Sequence, residues 1–286
     1  MNLVPVAGGR GLSRTTNGVV NLAVDIRGSG PAVVLLHGTS ANHAVWTPVA
    51  EVLANQARVI SVDQRGHGRS DKPMTGYGGE DFASDLITVL DALDEPTAVV
   101  VGHSMGARNA WVAASMFPTR VAGVISLDYT PFVEDSVLDD LAVRVAGGDR
   151  LFAALAEIED YIAARYPRLP TDAVERRARW GYGQVDGGWR PLADPGAMQQ
   201  LVAGLRRPHE REFRDVSVPM THVRGIDSRI LSESAWDAAR ALRPDDRWVV
   251  DPDADHYVAE ESVHLVSAEI QRIVTLTTTH AVPNHH

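Results

Sequence analysis

A serine between two glycines, Gly102-His103-Ser104-Met105-Gly106, lies where a buried apolar run gives way to a helical pattern. This G-x-S-x-G spacing suits nucleophilic catalysis: a sharp strand-to-helix turn presents the hydroxyl, and the flanking glycines leave room for neighbouring backbone. The competing reading is a serine that merely caps a helix. A serine hydroxyl needs a base, expected late in the chain after the last strand. His256, in Asp253-Ala254-Asp255-His256-Tyr257, stands there. His264 falls in the next helix and His222 inside a strand, and His37, His43 and His67 sit on early loops. His103 adjoins the serine, and strand alternation directs it elsewhere.

The base needs a carboxylate to hold its tautomer. Asp128 is preferred, because an aspartate ending a buried strand would otherwise be a lone charge. Asp227 is the alternative, in Arg224-Gly225-Ile226-Asp227-Ser228; the usual Gly-x-x-Asp spacing puts Ser228 at the acid's place and Asp227 one residue early. Two amides must then meet the developing oxyanion. The Met105 N–H, at a helix start, is one, and the Thr39 N–H, in Leu36-His37-Gly38-Thr39-Ser40, is the other.

A second group of residues suggests an anionic substrate. A helix beginning at Leu151 carries apolar Leu155, Ile158 and Ile162 on one face, and the next position on that face is Arg165, followed by Tyr166. Arg144 stands one turn after Leu141 on the preceding helix. An arginine on an apolar stripe is costly unless a carboxylate meets it. Asp139, Glu157 or Asp160 could be that partner; a substrate carboxylate, gripped by two prongs of guanidinium, is the other reading.

The elements that must position these groups alternate. Strand patterns at 19–26, 32–36, 58–63, 97–102 and 121–127 are interleaved with helical patterns at 46–53, 81–93 and 105–117. That order predicts an α/β fold with a mostly parallel, doubly wound sheet. After Pro131 the strands stop and a helical, charge-rich stretch follows. Strand patterns return at 218–224 and 247–250, before a helix at 263–273. The expected organisation is a core of 1–131 and 209–275, a helical cap of 132–208 and a frayed tail of 276–286 whose histidines are ordinary surface residues.

Bulk properties narrow the function classes. The chain has 286 residues and a formal net charge of −10, so phosphate backbones are repelled and nucleic acid is an unsuited partner. An anionic substrate would need local arginines to overcome that field. No apolar run is long enough to span a bilayer, and Met1 to Gly11 lacks the basic start and apolar stretch expected of a secretory signal. There is no cysteine, which excludes disulfides and thiolate catalysis and suits a reducing cytoplasm. A homodimer is compatible with these properties.

The motifs His37-Gly38, Asp63-Gln64-Arg65-Gly66-His67-Gly68-Arg69-Ser70-Asp71-Lys72-Pro73, Gly102-His103-Ser104-Met105-Gly106-Ala107-Arg108-Asn109, Asp128-Tyr129-Thr130-Pro131, Arg165-Tyr166-Pro167, Val185-Asp186-Gly187-Gly188, Arg224-Gly225 and Ala254-Asp255-His256-Tyr257 resemble the α/β-hydrolase superfamily. Within it they are most similar to the 2-(acetamidomethylene)succinate hydrolases of bacterial vitamin B6 degradation. The resemblance covers nearly the whole chain. It implies a triad of Ser104, His256 and Asp128, oxyanion amides at Thr39 and Met105, and substrate carboxylates held by Arg144, Arg165 and Tyr166. It implies no metal or organic cofactor. The implied activity is hydrolysis of the amide of a small dicarboxylate. The rivals are a carboxylesterase, lactonase or carbon–carbon bond hydrolase, or a non-catalytic binding relative. The sequence departs from the family at Thr39, Trp46, Trp180 and Trp189, and these tryptophans are expected to reshape the pocket.

Overall fold

The structure is a computed structural model that describes residues 13–16 and 20–280. Its first half alternates strand and helix: β1 Ser13–Thr16, β2 Asn21–Arg27, β3 Ala32–Leu36, α1 Thr47–Leu53, β4 Arg58–Asp63, α2 Gly79–Ala92, β5 Ala98–His103, α3 Met105–Met116 and β6 Val121–Leu127. The inserted segment holds α4 Asp135–Ala146, α5 Leu155–Arg165, α6 Thr171–Gly181, β7 Tyr182–Val185, β8 Gly188–Pro191, α7 Pro195–Leu205 and α8 Glu210–Arg214. The core resumes with β9 Met220–Gly225, α9 Glu233–Leu242, β10 Arg247–Asp251, α10 Val258–Glu261 and α11 Val263–His280.

Eight strands form one sheet in the order β1-β2-β4-β3-β5-β6-β9-β10. From β4 to β10 every pairing is parallel; β2 runs antiparallel to both neighbours. The central strands read as unbroken apolar runs because helices cover both faces. Alternation still sorts them: Val34, Leu36 and Val100 join one core, and Val33, Leu35, Val99 and Val101 the other. Each such side chain contributes about 1.5–3 kcal/mol by burial, so the sheet's register is strongly fixed. All the strand ends that carry candidate chemistry, β3, β5, β6 and β9, therefore open on one edge.

Three expectations need correction. The inserted segment is not wholly helical: β7 and β8 pair as a hairpin around Asp186-Gly187, with Gly187 and Gly188 at φ of 83° and 150°. Its strands are half-buried to exposed with no fully buried residue, so no buried face marked them. The helix expected from Leu151 starts at Leu155, and Leu151 is exposed beside the Phe152–Trp189 bridge. The tail expected to fray from 276 is helical through His280, carrying α11 onward; residues 281–286 lie outside the described residues.

Candidate active site

Ser104 is the hinge between β5 and α3, with φ 54° and ψ −120°. That strained backbone is held from both sides by close packing. A Cβ on Gly102 would come 2.1 Å from the Gly106 carbonyl oxygen, and one on Gly106 would come 2.2 Å from that of Leu36. Only glycine lets strand, elbow and β3 approach so closely, which fixes the spacing of the motif. At the far side of the elbow, a Cβ on Gly38 would press on the His103 ring and on the Ser104 Cβ at 3.0 and 3.2 Å. The Thr39 loop thus lies directly against the serine. Its approach is braced by Gln64, which donates through its amide side chain to the His37 carbonyl and through its backbone to His37 Nε2. Neither the Thr39 nor the Met105 amide donates a hydrogen bond to any described residue, so both remain available.

His256 Nδ1 donates to Asp128 Oδ2 at 2.7 Å. Asp128 is fully buried, and its two oxygens also accept from the Ser228 hydroxyl at 2.5 Å and the Gly225 amide at 3.0 Å. Burial pushes the Asp128 carboxyl above the usual carboxylate range, while those two hydrogen bonds act against it. Burial pushes the His256 imidazole well below its ordinary value, with the charges of Arg144 and Arg177 adding to the shift and Asp255 opposing it. A neutral imidazole with Nδ1 engaged leaves Nε2 as the free lone pair, which is the form a general base requires. The loop that carries it is clamped twice. His103 Nε2 donates to the His256 carbonyl at 2.7 Å, and a Cβ on Gly225 would lie 2.0 Å from the Asp255 carbonyl. His103, expected to point elsewhere, in fact packs its ring 4.7 Å from that of His256.

Ser104 and His256 line one cavity of about 150 Å³, without a hydrogen bond between hydroxyl and imidazole. That step often closes only when substrate is bound. Asp227 does not join this arrangement: it is exposed and paired with Arg168.

The cavity is roofed by the inserted segment. Arg144, Arg165 and Tyr166 line it, together with Thr39 and Tyr257. Among the described residues neither Arg144 nor Arg165 meets a carboxylate; Asp139 is paired with Arg206 and Glu157 with Arg150 instead. The Arg144 Nε is buried without a hydrogen-bond partner, and Arg165 Nε donates to the Tyr166 hydroxyl at 3.2 Å. Sequence reasoning missed Arg177, which also lines the cavity. It sits between Val174 and Ala178 on the buried stripe of α6, the same signal that picked out Arg165. Its guanidinium is gripped by the buried Glu260 of α10 and lies over the rings of Tyr166 and Tyr257 at 5.2 and 4.8 Å. The tryptophans expected to reshape the pocket do not line it: Trp46 is buried in the core, and Trp180 and Trp189 stand elsewhere on the insertion.

The sequence pattern of the alpha/beta hydrolase fold matches residues 31–263. The chain belongs to the α/β-hydrolase family. Among relatives, this hydrolase is 43% identical over 261 residues to the 2-(acetamidomethylene)succinate hydrolase of Mesorhizobium japonicum, covering 91% of this chain and 94% of that one. Among solved structures, it superposes on a crystal structure of E-2-(acetamidomethylene)succinate hydrolase with a TM-score of 0.90 and 41% identity, over 96% of this chain and 100% of the other. The enol-lactonase of Burkholderia xenovorans shares the fold, with a TM-score of 0.73 and 20% identity over 92% of this hydrolase and 99% of that chain. No helix among the described residues is long and apolar enough to cross a membrane.

Proposed function

We propose that this chain is a serine hydrolase that cleaves the amide of a small dicarboxylate of the 2-(acetamidomethylene)succinate type. The observation that carries the reading is the pairing of a tautomer-fixed imidazole with two cavity arginines that no described carboxylate neutralises. The likeness to the relative of that name supports the same substrate class.

In this reading Arg144, Arg165 and Tyr166 hold the two carboxylates and set the amide over Ser104. His256 Nε2 takes the Ser104 proton as the hydroxyl attacks the acetyl carbon. The oxyanion is met by the Thr39 and Met105 amides. His256 then delivers its proton to the leaving nitrogen, and water, activated by the same imidazole, releases acetate from the serine. The enamine set free tautomerises to an imine and takes up water, losing ammonia. The resulting β-oxo acid loses carbon dioxide to leave succinic semialdehyde. Every step at the protein is proton transfer or acyl transfer, which these side chains supply unaided. A cytoplasmic setting belongs to the same reading and suits a chain without cysteine.

The test is turnover of 2-(acetamidomethylene)succinate beside p-nitrophenyl acetate. The reading expects kcat/KM on the dicarboxylate amide to exceed that on the neutral ester, with both lost in Ser104→Ala. A preference for the ester, or for a lactone or a carbon–carbon bond substrate, would replace the amide reading. Full turnover by Ser104→Ala would remove the nucleophile.

A further inference from the structure

Ser228 stands where the spacing Gly-x-x-Asp would place an acid, yet it contacts the acid that is present. Its hydrogen bonds can be counted to completion. A serine hydroxyl has one proton and two acceptor lone pairs. The Ile230 amide donates to the Ser228 oxygen at 3.2 Å and the Leu231 amide donates to it at 3.1 Å, which uses the acceptor capacity. The single proton is then committed to Asp128 Oδ2 at 2.5 Å. The Gly225 amide, which can only donate, occupies Oδ1. Of the three groups around the carboxylate, two are incapable of accepting from it. A proton resting on Asp128 would therefore have only His256 Nδ1 to bond to, at the oxygen Ser228 already serves.

We propose that Ser228 is a positioning residue for the base: as an obligate donor it keeps the Asp128 carboxylate a pure acceptor, and so fixes the His256 proton on Nδ1. This rests on the reading of Ser104, His256 and Asp128 as the catalytic set. The role is distinct from packing, because it acts on where a proton sits. The charged and titratable groups that face the pair are His103 on β5, Arg224 on β9, Arg144 on α4, Arg177 on α6 and Asp255 on the histidine loop. None of them touches the carboxylate, whereas Ser228 and Gly225 do, and only the former can be altered by a side-chain substitution without filling the space under Asp255.

The sign of the effect follows. Removing a donor from an anion raises its affinity for a proton, so the Asp128–His256 pair is protonated at higher pH. The experiment is the pH dependence of kcat/KM for p-nitrophenyl acetate hydrolysis by the full chain. Ser228→Ala is expected to move the acid limb upward by about one unit and to lower kcat about tenfold. Ser228→Thr, which keeps the hydroxyl, is expected to hold the limb where the parent has it. Ser228→Cys, a weaker donor, falls between them and gives the same reading if the alanine variant does not fold. A parallel check is the far-downfield proton resonance of the His256 Nδ1–H, expected to shift in Ser228→Ala and to persist in Ser228→Thr. A lowered melting temperature with the limb and the resonance unmoved would make Ser228 a packing residue and overturn the proposal. The underlying reading fails differently: a Ser104→Ala variant that keeps its esterase turnover removes the triad itself, whatever position 228 does.

Discussion

On the core side of the cavity, Asp128 is ringed by His256, Ser228 and Gly225, and Asp63 nearby accepts from both the backbone and the ring of His43 and from the Arg69 amide. On the cap side, Arg144 and Arg165 face the same space and meet no described carboxylate. Asp128 and Asp63 are committed to fixed partners, which is what a buried anion requires. The cap leaves two cations uncommitted over the nucleophile in a chain of net charge −10. The difference separates two jobs. Committed charges hold geometry, and under the proposed function the uncommitted pair is there for a ligand of opposite sign.

The comparison can be broken first at the acid. Asp128→Asn should reduce kcat by about 10³–10⁴-fold, because an amide favours the wrong imidazole tautomer. Asp227→Asn, altering an exposed pair, should stay within about twofold. Steady-state kinetics on either substrate decides this, and the opposite ranking would move the acid to Asp227.

A second break lies in the cap. Arg165→Ala and Arg144→Ala should each raise KM for the dicarboxylate by about 10–100-fold while changing that for p-nitrophenyl acetate by less than about threefold. Equal effects on the two substrates would mean that these arginines support the fold and do not grip the substrate.

The smallest effect sharpens the core side. Burial pushes His37 down to about 4, and His67 and His103 down to about 3. Their unfolded value is near 6.5, so below that pH the unfolded chain binds more protons than the folded one and stability falls. Each histidine adds to that fall as pH drops below about 6.5. Denaturant midpoints at pH 7, 6 and 5 should drop progressively, with little change above 7.5. A flat midpoint across that range would show these rings to be charged or exposed.

Much of the core arrangement was legible in the sequence, because its signals are local. The elbow glycines, the apolar strand before Ser104 and the late position of His256 each follow from close packing within a few residues. Asp128 could be chosen by the cost of a lone buried charge, and in the fold three groups surround it as donors. The cap was less legible. The β7–β8 hairpin has no buried face to impose a period of two, and the tryptophans that looked like pocket walls turned out to pack elsewhere. Arg177 carried the signal that identified Arg165, but its partner Glu260 lies 83 residues away, beyond the reach of spacing arguments. Ser228 looked like a missing acid; its actual bonds depend on β6 and β9 being neighbours in the sheet.

The pair of Arg177 and Glu260 has a mechanical consequence. It ties α6 in the roof to α10, one turn beyond the base, and both side chains are largely shielded from water, at 14% and 2% exposure. Moving the roof at that seam would have to part this shielded ion pair. A transplant of the roof onto a foreign core would need a glutamate waiting at the landing point.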